Sequence, residues 1–464
     1  MAMGKRKRGV RQSTMWIATN ELPRTSAHPF YEQLSGVLDK AGFDPHVEEL
    51  CARFYAQTMG RPSLAPGRYF RLLLIGYFEG LDSERAIAWR AADSFALRRF
   101  LDMELVEAPP DHSTISRTRR LIDLETHREV FTWILKQLGE AGLVNGKTIG
   151  IDATTLEANA ALRSIVRRDM GATYQQFLTQ LAHASGIETP TREDLARIDR
   201  KRPKKGSNND WTHPFDPDAK ITKMKDGRTH LAHKAEHAVD LETGAVVAVT
   251  VQGADEGDTA TSMETLIEAA EQIETVVPEG EGLTEVVADK GYHSNQVMVD
   301  LEAIGVRSYI SEPDRGRRTW NNPETREAVY RNRRRIRGAR GKRLLRQRGE
   351  RLERPFAHLY ETGRMRRVHL RGHINILKHV LLQTAALNLG LLMRTLFGVG
   401  TPRSLQGRVA ALLCCVWVLI RRPEKLPEAI WTMYRPSTRL GDSTSLREDR
   451  PLALSVKTAF ATGR

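Results

Sequence analysis

Three carboxylates carry the chemistry this chain could do. Asp152 lies in an apolar, β-prone run, Thr148-Ile149-Gly150-Ile151-Asp152-Ala153-Thr154. Asp289 closes a second such run, Glu285-Val286-Val287-Ala288-Asp289, and the turn-like Lys290-Gly291-Tyr292-His293-Ser294 follows. Glu353 sits in Leu352-Glu353-Arg354-Pro355-Phe356-Ala357-His358, where a helix is predicted just after a dense arginine run. Hard oxygen ligands converging from strand ends and a helix hold Mg²⁺ beside a phosphate, and Mn²⁺ suits the same ligands. An acid in an apolar strand needs such a reason, because an unpaired buried charge is costly. Any other acid among the 57 Asp and Glu reads first as a solvated surface group.

The elements that must position these acids follow from the patterning. Residues from about 30 to 145 predict short helices. Pro66-Gly67 precedes the apolar face of Tyr69 to Ile75, Asp82 or Ser83 caps the next helix, and Glu125 to Leu138 forms a longer amphipathic one. The segment Ser113 to Ile122, rich in Ser, Thr and Arg, suits the docking helix of a helix-turn-helix through Arg117, Arg119 and Arg120. A structural helix with a basic outer face fits it equally. From about 146 the period changes to strands. The Asp152 strand is followed by a helical and polar insertion at about 160–228. A strand ending near Val239 and another over Ala245 to Val251 are joined by the hairpin turn Asp240-Leu241-Glu242-Thr243-Gly244. Then come a helix over Thr259 to Ile273, the Asp289 strand, a helix over Ser294 to Ile304 and a strand over Val306 to Ile310. A polar, arginine-rich connector leads to the helix bearing Glu353. This is the element order of a ribonuclease-H-like α/β domain, a mixed sheet flanked by helices, preceded by an all-α domain.

At 464 residues the chain predicts two or three domains. We expect a helical DNA-binding domain over 1–145, the catalytic domain over 146–395, and a tail over 396–464. The tail holds one apolar helix, Val409 to Ile420, and a polar end from Pro436 expected to be disordered. That helix is short for a membrane span, so a core or interface role and no membrane partner are expected. The net charge is +14, and arginines cluster from Arg331 to Arg354 and from Arg364 to Arg371. A polyanion, nucleic acid before membrane, is the expected partner. Arg366, Arg367, Arg371 and Lys378 are expected to contact phosphates as a group. Trp320 and Tyr330 could stack on a displaced base, with packing the commoner role. The three cysteines, Cys51, Cys414 and Cys415, form no disulfide framework or zinc pattern, and no secretory signal follows the basic N-terminus. A cytoplasmic, nucleoid-associated bacterial location is expected.

These residues resemble the DDE transposases of bacterial insertion sequences, in the group with a helical N-terminal domain. The likeness runs from about His28 to Leu396. It rests on Gly150-Ile151-Asp152-Ala153-Thr154-Thr155-Leu156-Glu157-Ala158-Asn159, on Asp216-Pro217-Asp218-Ala219-Lys220, on Ala288-Asp289-Lys290-Gly291-Tyr292 and on Glu353-Arg354-Pro355-Phe356-Ala357-His358. The resemblance implies that Asp152, Asp289 and Glu353 are the catalytic metal ligands. It implies a two-metal reaction run twice, first hydrolysis at the transposon end and then attack of the freed 3′-hydroxyl on target DNA. It also implies double-stranded DNA partners, the terminal inverted repeats and the target, and a homodimer or higher assembly on them. One departure concerns the family's third motif, Tyr, two residues, Arg, three residues, Glu, six residues, Lys. Counted from Glu353, the Arg position holds Gly349 and the Lys position Tyr360; counted from Glu350, Arg346 fits but Arg343 and Ala357 do not. Glu353 is assigned because in similar members the Glu directly before Arg-x-Phe is the ligand.

Two rival readings exist. His233-Lys234-Ala235-Glu236-His237 matches a metallopeptidase pattern. Two His at i and i+4 share a zinc only on a helix; on a strand they stand ~13 Å apart. The following hairpin turn predicts a strand. The stronger rival is a catalytically inactive, transposase-derived DNA-binding protein, against which the intact carboxylates argue.

Overall fold

The computed structural model describes residues 28–403, apart from 57–62, 105–106, 203–205, 225, 315, 317 and 321. The expected Val409 to Ile420 helix and the polar end lie outside the described residues. The N-terminal part is helical: α1 (Pro29–Lys40), α2 (Phe43–Cys51), α3 (Pro66–Glu79), α4 (Glu84–Asp93), α5 (Phe95–Phe100), α6 (His112–Leu121) and α7 (Leu124–Glu140). Side chains cap these helices where the sequence supplies them. Ser83 Oγ accepts from Ala86 N, Asp111 from Ser113 N, and Asp123 from Thr126 N.

The sheet begins with β1 (Thr148–Glu157), which carries Asp152. The insertion then folds as β2 (Val166–Arg167), α8 (Tyr174–Ala184), α9 (Arg192–Lys201) and β3 (Trp211–Thr212). Both helices start with capping boxes, Thr173 with Gln176 and Thr191 with Asp194. Next come β4 (Lys220–Lys223), β5 (Thr229–Asp240), β6 (Val246–Gly253), α10 (Asp258–Val276), β7 (Glu285–Ala288), α11 (Asn295–Ala303) and β8 (Arg307–Ile310). The six-stranded sheet runs β4-β5-β1-β7-β8, with β6 also paired to β5. Pairings β6–β5 and β5–β1 are antiparallel, whereas β1–β7 and β7–β8 are parallel. This is the ribonuclease-H-like sheet. The β5–β6 hairpin turns at Gly244, whose φ of +84° suits only glycine without strain. Inside the turn, the Asp240 carboxylate accepts from Glu242 N and Thr243 N.

The stretch expected as an arginine-rich connector is a helix, α12 (Pro323–Arg337). Asn322 caps it, Pro323 sits in its first turn, and Ala328, Val329 and Asn332 bury its inner face. Two buried apolar positions and one asparagine among so many arginines are too few to show a period. Glu312, just after β8, accepts from Arg333 Nε at 2.5 Å and from Arg318 Nη1 at 3.0 Å. The next helix is α13 (Ala339–Phe356), which carries Glu353 and runs into a π-helical turn over Ala357–Thr362.

The last described helix, α14 (His373–Phe397), is long and apolar enough to cross a membrane by composition, yet most of it is buried inside the protein. It packs on α3, α7 and β6. Asn388 ties it to the sheet edge, donating to Val246 O at 2.8 Å and accepting from Val246 N at 3.0 Å. One apolar core therefore runs from Phe30 and Leu34 through Ile149 and Val246 to Leu389 and Met393. The change near residue 145 is one of secondary structure; the packing continues across it.

The Arg333 hydrogen bond, ahead of the other contacts, holds the Glu312 carboxyl down at about 2, against an ordinary value of 4.5. A depressed carboxylate contributes stability that is present above its unfolded value and lost as pH falls toward the folded one. Glu312→Gln should therefore be less stable than wild type at pH 7, and the gap should close between pH 4.5 and 2. Denaturant unfolding of both proteins across that range checks this; a pH-independent gap contradicts it.

Candidate functional site

Parallel pairing of β1 with β7 brings Asp152 and Asp289 to neighbouring strands at the same edge of the sheet. Asp152 pairs across β1–β5 with His237, so both side chains share one face. On that face the buried His237 shares a hydrogen bond with Tyr360, and burial drives its imidazole down to about 3. Asp152 Oδ1 accepts from Ala153 N at 2.9 Å. Asp289 heads the single 3-10 turn Lys290–Tyr292 and accepts from Gly291 N at 2.7 Å.

One cation joins the two acids. Arg348, on α13, places Nη2 2.8 Å from Asp152 Oδ2 and 4.0 Å from Asp289 Oδ2. The same helix turns Leu352 onto Gly150, where an added Cβ would stand 2.6 Å from the leucine. At 100° per residue, Glu353 then points about 140° away from Arg348. Glu353 is exposed, and so is Glu350. Among the described residues no third Asp, Glu, His or Cys joins Asp152 and Asp289 in a metal-binding group. The structure thus brings two of the expected carboxylates together and leaves the third outside.

A buried polar network lies under the Asp289 turn. Lys234 reaches Asp258 at 2.9 Å and Thr261 at 2.8 Å. Glu236 accepts from Thr265 at 2.6 Å and from the Tyr292 hydroxyl at 2.8 Å. Burial raises the Glu236 carboxyl, against its hydrogen bonds, and burial with the neighbouring Glu236 charge raises the Tyr292 hydroxyl. These residues escaped sequence reasoning. Lys234 and Glu236 were visible only inside the peptidase-like pattern, which the structure places on strand β5. Its histidines serve elsewhere, His233 beside Asp216 at 3.2 Å and His237 beside Tyr360.

The expected DNA contacts divide. Arg117 and Arg120 are exposed on α6, each bonded only to its own preceding turn. Arg366, Arg367 and Arg371 are exposed beside the end of β1. Their segment is held there by Glu157 N donating to Arg366 O at 2.8 Å and Val368 N to Glu157 O at 2.9 Å. Glu157 lies five residue steps along β1 from Asp152, about 17 Å. Arg366 pairs with Glu361, and Arg371 lies over the Phe215 ring at 5.7 Å.

Arg119 and Lys378 are corrections. Both are buried. Arg119 bonds Glu84, Asn375 and Ser116, and Lys378 donates to Arg119 O at 3.1 Å and Ile122 O at 2.7 Å. Lys378 thereby caps the last carbonyls of α6 from α14, a structural use of its charge. The run from Arg331 to Arg354 is likewise partly internal: Arg331 and Arg335 face Glu302, Arg333 faces Glu312, and Arg340 faces Glu285. Trp320 and Tyr330 pack 6.0 Å apart with Arg333 near both rings.

The two carboxylates thus stand side by side on neighbouring parallel strands of a mixed sheet flanked by helices. Residues 19–121 match the family described as a transposase domain (DUF772), and residues 151–389 match the transposase DDE domain, more than half of the chain. The chain belongs to the DDE transposases and is a DNA transposase. No curated protein matches it. Among solved structures, the Mos1 mariner paired-end complex with Mn is similar at 10% identity over 72% of this chain and 93% of that one, with a TM-score of 0.18. A pre-cleavage Mos1 transpososome gives 10%, 73%, 98% and 0.19. TM-scores of this size do not establish a shared fold.

Gly291 leaves little room beside Asp289. A Cβ there would stand 2.9 Å from Asp258 Oδ2 and 3.0 Å from Asp289 Oδ1. Gly291→Ala should displace the Asp289 carboxylate and lower DNA cleavage by roughly a hundredfold, as small misplacements of reacting groups do. Its melting temperature should move by only a few degrees. Cleavage at the wild-type rate would show that the turn does not position Asp289.

Proposed function

We propose that this transposase binds the inverted repeats at its element's ends, hydrolyses the phosphodiester there, and joins the freed 3′-hydroxyl to target DNA. The observation that carries this reading is the convergence of Asp152 and Asp289 on one cationic nitrogen, 2.8 and 4.0 Å away. The Arg348 guanidinium stands in for a cation there, and two carboxylates fit a hard divalent ion. Asp152 and Asp289 would hold Mg²⁺, with Mn²⁺ substituting, and the bound metal supplies two-metal activation of the attacking hydroxyl and neutralisation of the leaving oxygen. The protein's own contribution is positioning. Main-chain N–H groups of Ala153 and Gly291 aim the two carboxylates, and the Lys234–Glu236–Tyr292 network fixes the turn beneath Asp289.

Glu353 is the proposed third ligand, with Glu350 the alternative. Either joins the pair only after a local rotation of α13, whose end contains Pro355 and the π-helical turn. Arg366, Arg367 and Arg371 would track the backbone leading away from the cleaved bond, and Arg117 and Arg120 would meet DNA from α6. A homodimer or higher assembly would synapse the two ends, in the cytoplasm of a bacterium at the nucleoid.

Asp152→Ala and Asp289→Ala should abolish Mg²⁺-dependent cleavage of end DNA while DNA binding, measured by mobility shift, survives. Glu353→Ala should behave the same way, and Glu350→Ala should keep activity. Near wild-type cleavage in either aspartate variant would remove the metal-site assignment. A wild-type protein that binds DNA without cutting under any divalent ion would favour the inactive, DNA-binding reading.

A further inference from the structure

Arg348 is held differently from Arg71, Arg119 and Arg340. Arg71 is held by Asp44, Asp39, Ser35 and the Phe100 carbonyl, through all three of its guanidinium nitrogens. Arg119 likewise uses all three nitrogens, and Arg340 grips Glu285 through two, at 3.2 and 2.5 Å. Such forked pairing is how arginine serves as a fixed structural ion. Arg348 instead makes its shortest contact with each of the two aspartates through the same atom, Nη2. Its Nε is buried with no hydrogen-bond partner. Its side chain is 15% exposed, and the acids it meets are 29% and 45% exposed. A cation so placed offsets the repulsion of two neighbouring carboxylates without being locked to either.

We propose that Arg348 is the exchangeable counterion of the Asp152–Asp289 pair, holding the site in a metal-free state and competing with the divalent ion for the same carboxylate oxygens. This rests on the metal-site reading above and deepens it: Arg348 is a positioning residue that sets when the site loads. The guanidinium already lies against both carboxylates that would hold a divalent cation, so the two would compete for them. Loading then requires the arginine to move to another anion, and the phosphates of bound DNA offer one. Metal binding is thereby weak in the free protein and coupled to DNA engagement, a coupling that must run in both directions.

The test is Mn²⁺ affinity of the full, DNA-free chain, from the electron paramagnetic resonance signal of free Mn²⁺. Arg348→Gln removes one positive charge from about 3 Å away and should tighten Mn²⁺ binding by at least about tenfold. Arg348→Lys keeps the charge and should stay within about threefold of wild type. Arg348→Met, which keeps an apolar stem on the helix, carries the test should the Gln variant fail to fold, and should tighten binding equally. Binding by the neutral variants no tighter than wild type overturns the proposal, as does equal tightening in Arg348→Lys. Adding Asp152→Asn to Arg348→Gln separates the two readings. If Mn²⁺ binding persists in the double variant, the metal site itself is misplaced and both readings fall. If binding vanishes there while Arg348→Gln alone shows no tightening, only the role of Arg348 is overturned.

Discussion

Two like charges brought within reach of one nitrogen are the constraint on which this structure turns. Parallel pairing of β1 with β7 places Asp152 and Asp289 side by side. Coulomb repulsion at such a separation is on the order of a few kcal/mol at an effective dielectric near 20. The fold meets that cost with Arg348 from α13 and with main-chain N–H groups at Ala153 and Gly291. On the proposed reading, a site that holds a divalent ion in one state carries the arginine's single charge in another. The network of Lys234, Glu236, Asp258 and Tyr292 supports the same turn from below and so helps to aim Asp289.

The helical N-terminal part is bound into this arrangement. Helix α14 supplies the apolar surface that α3 and α7 need, and its Lys378 caps α6. Arg119 answers from α6, bonding Asn375 on α14 and Glu84 on α4. The α6 face that presents Arg117 and Arg120 is thus fixed relative to the sheet bearing the carboxylates.

Much of this was legible in the sequence, and the exceptions have physical causes. The strand–turn–strand around Gly244, the Asp289 turn and the Ser294-capped helix α11 each declare themselves by local chemistry: a glycine at positive φ, an Asx cap, a hydroxyl cap. Asp152 stood out because an acid in an apolar strand is rare without a partner. Helix α12 was missed because its buried face is only Ala328, Val329 and Asn332 among arginines. Lys378 and Arg119 were misjudged because charge in a sequence says nothing of depth; their partners are carbonyls and acids up to 259 residues away. The role of Arg348 could not be read at all. It depends on which face α13 turns to the sheet, which is set by Leu352 against Gly150 and by Arg340 against Glu285, contacts between elements far apart in the chain.

The most direct measurement is an anomalous difference map from crystals of the wild-type protein with end DNA and Mn²⁺. The account predicts a peak coordinated by Asp152 and Asp289, with the Arg348 guanidinium moved off both carboxylates. A peak elsewhere, or Arg348 still seated between the two aspartates beside a bound ion, would contradict it.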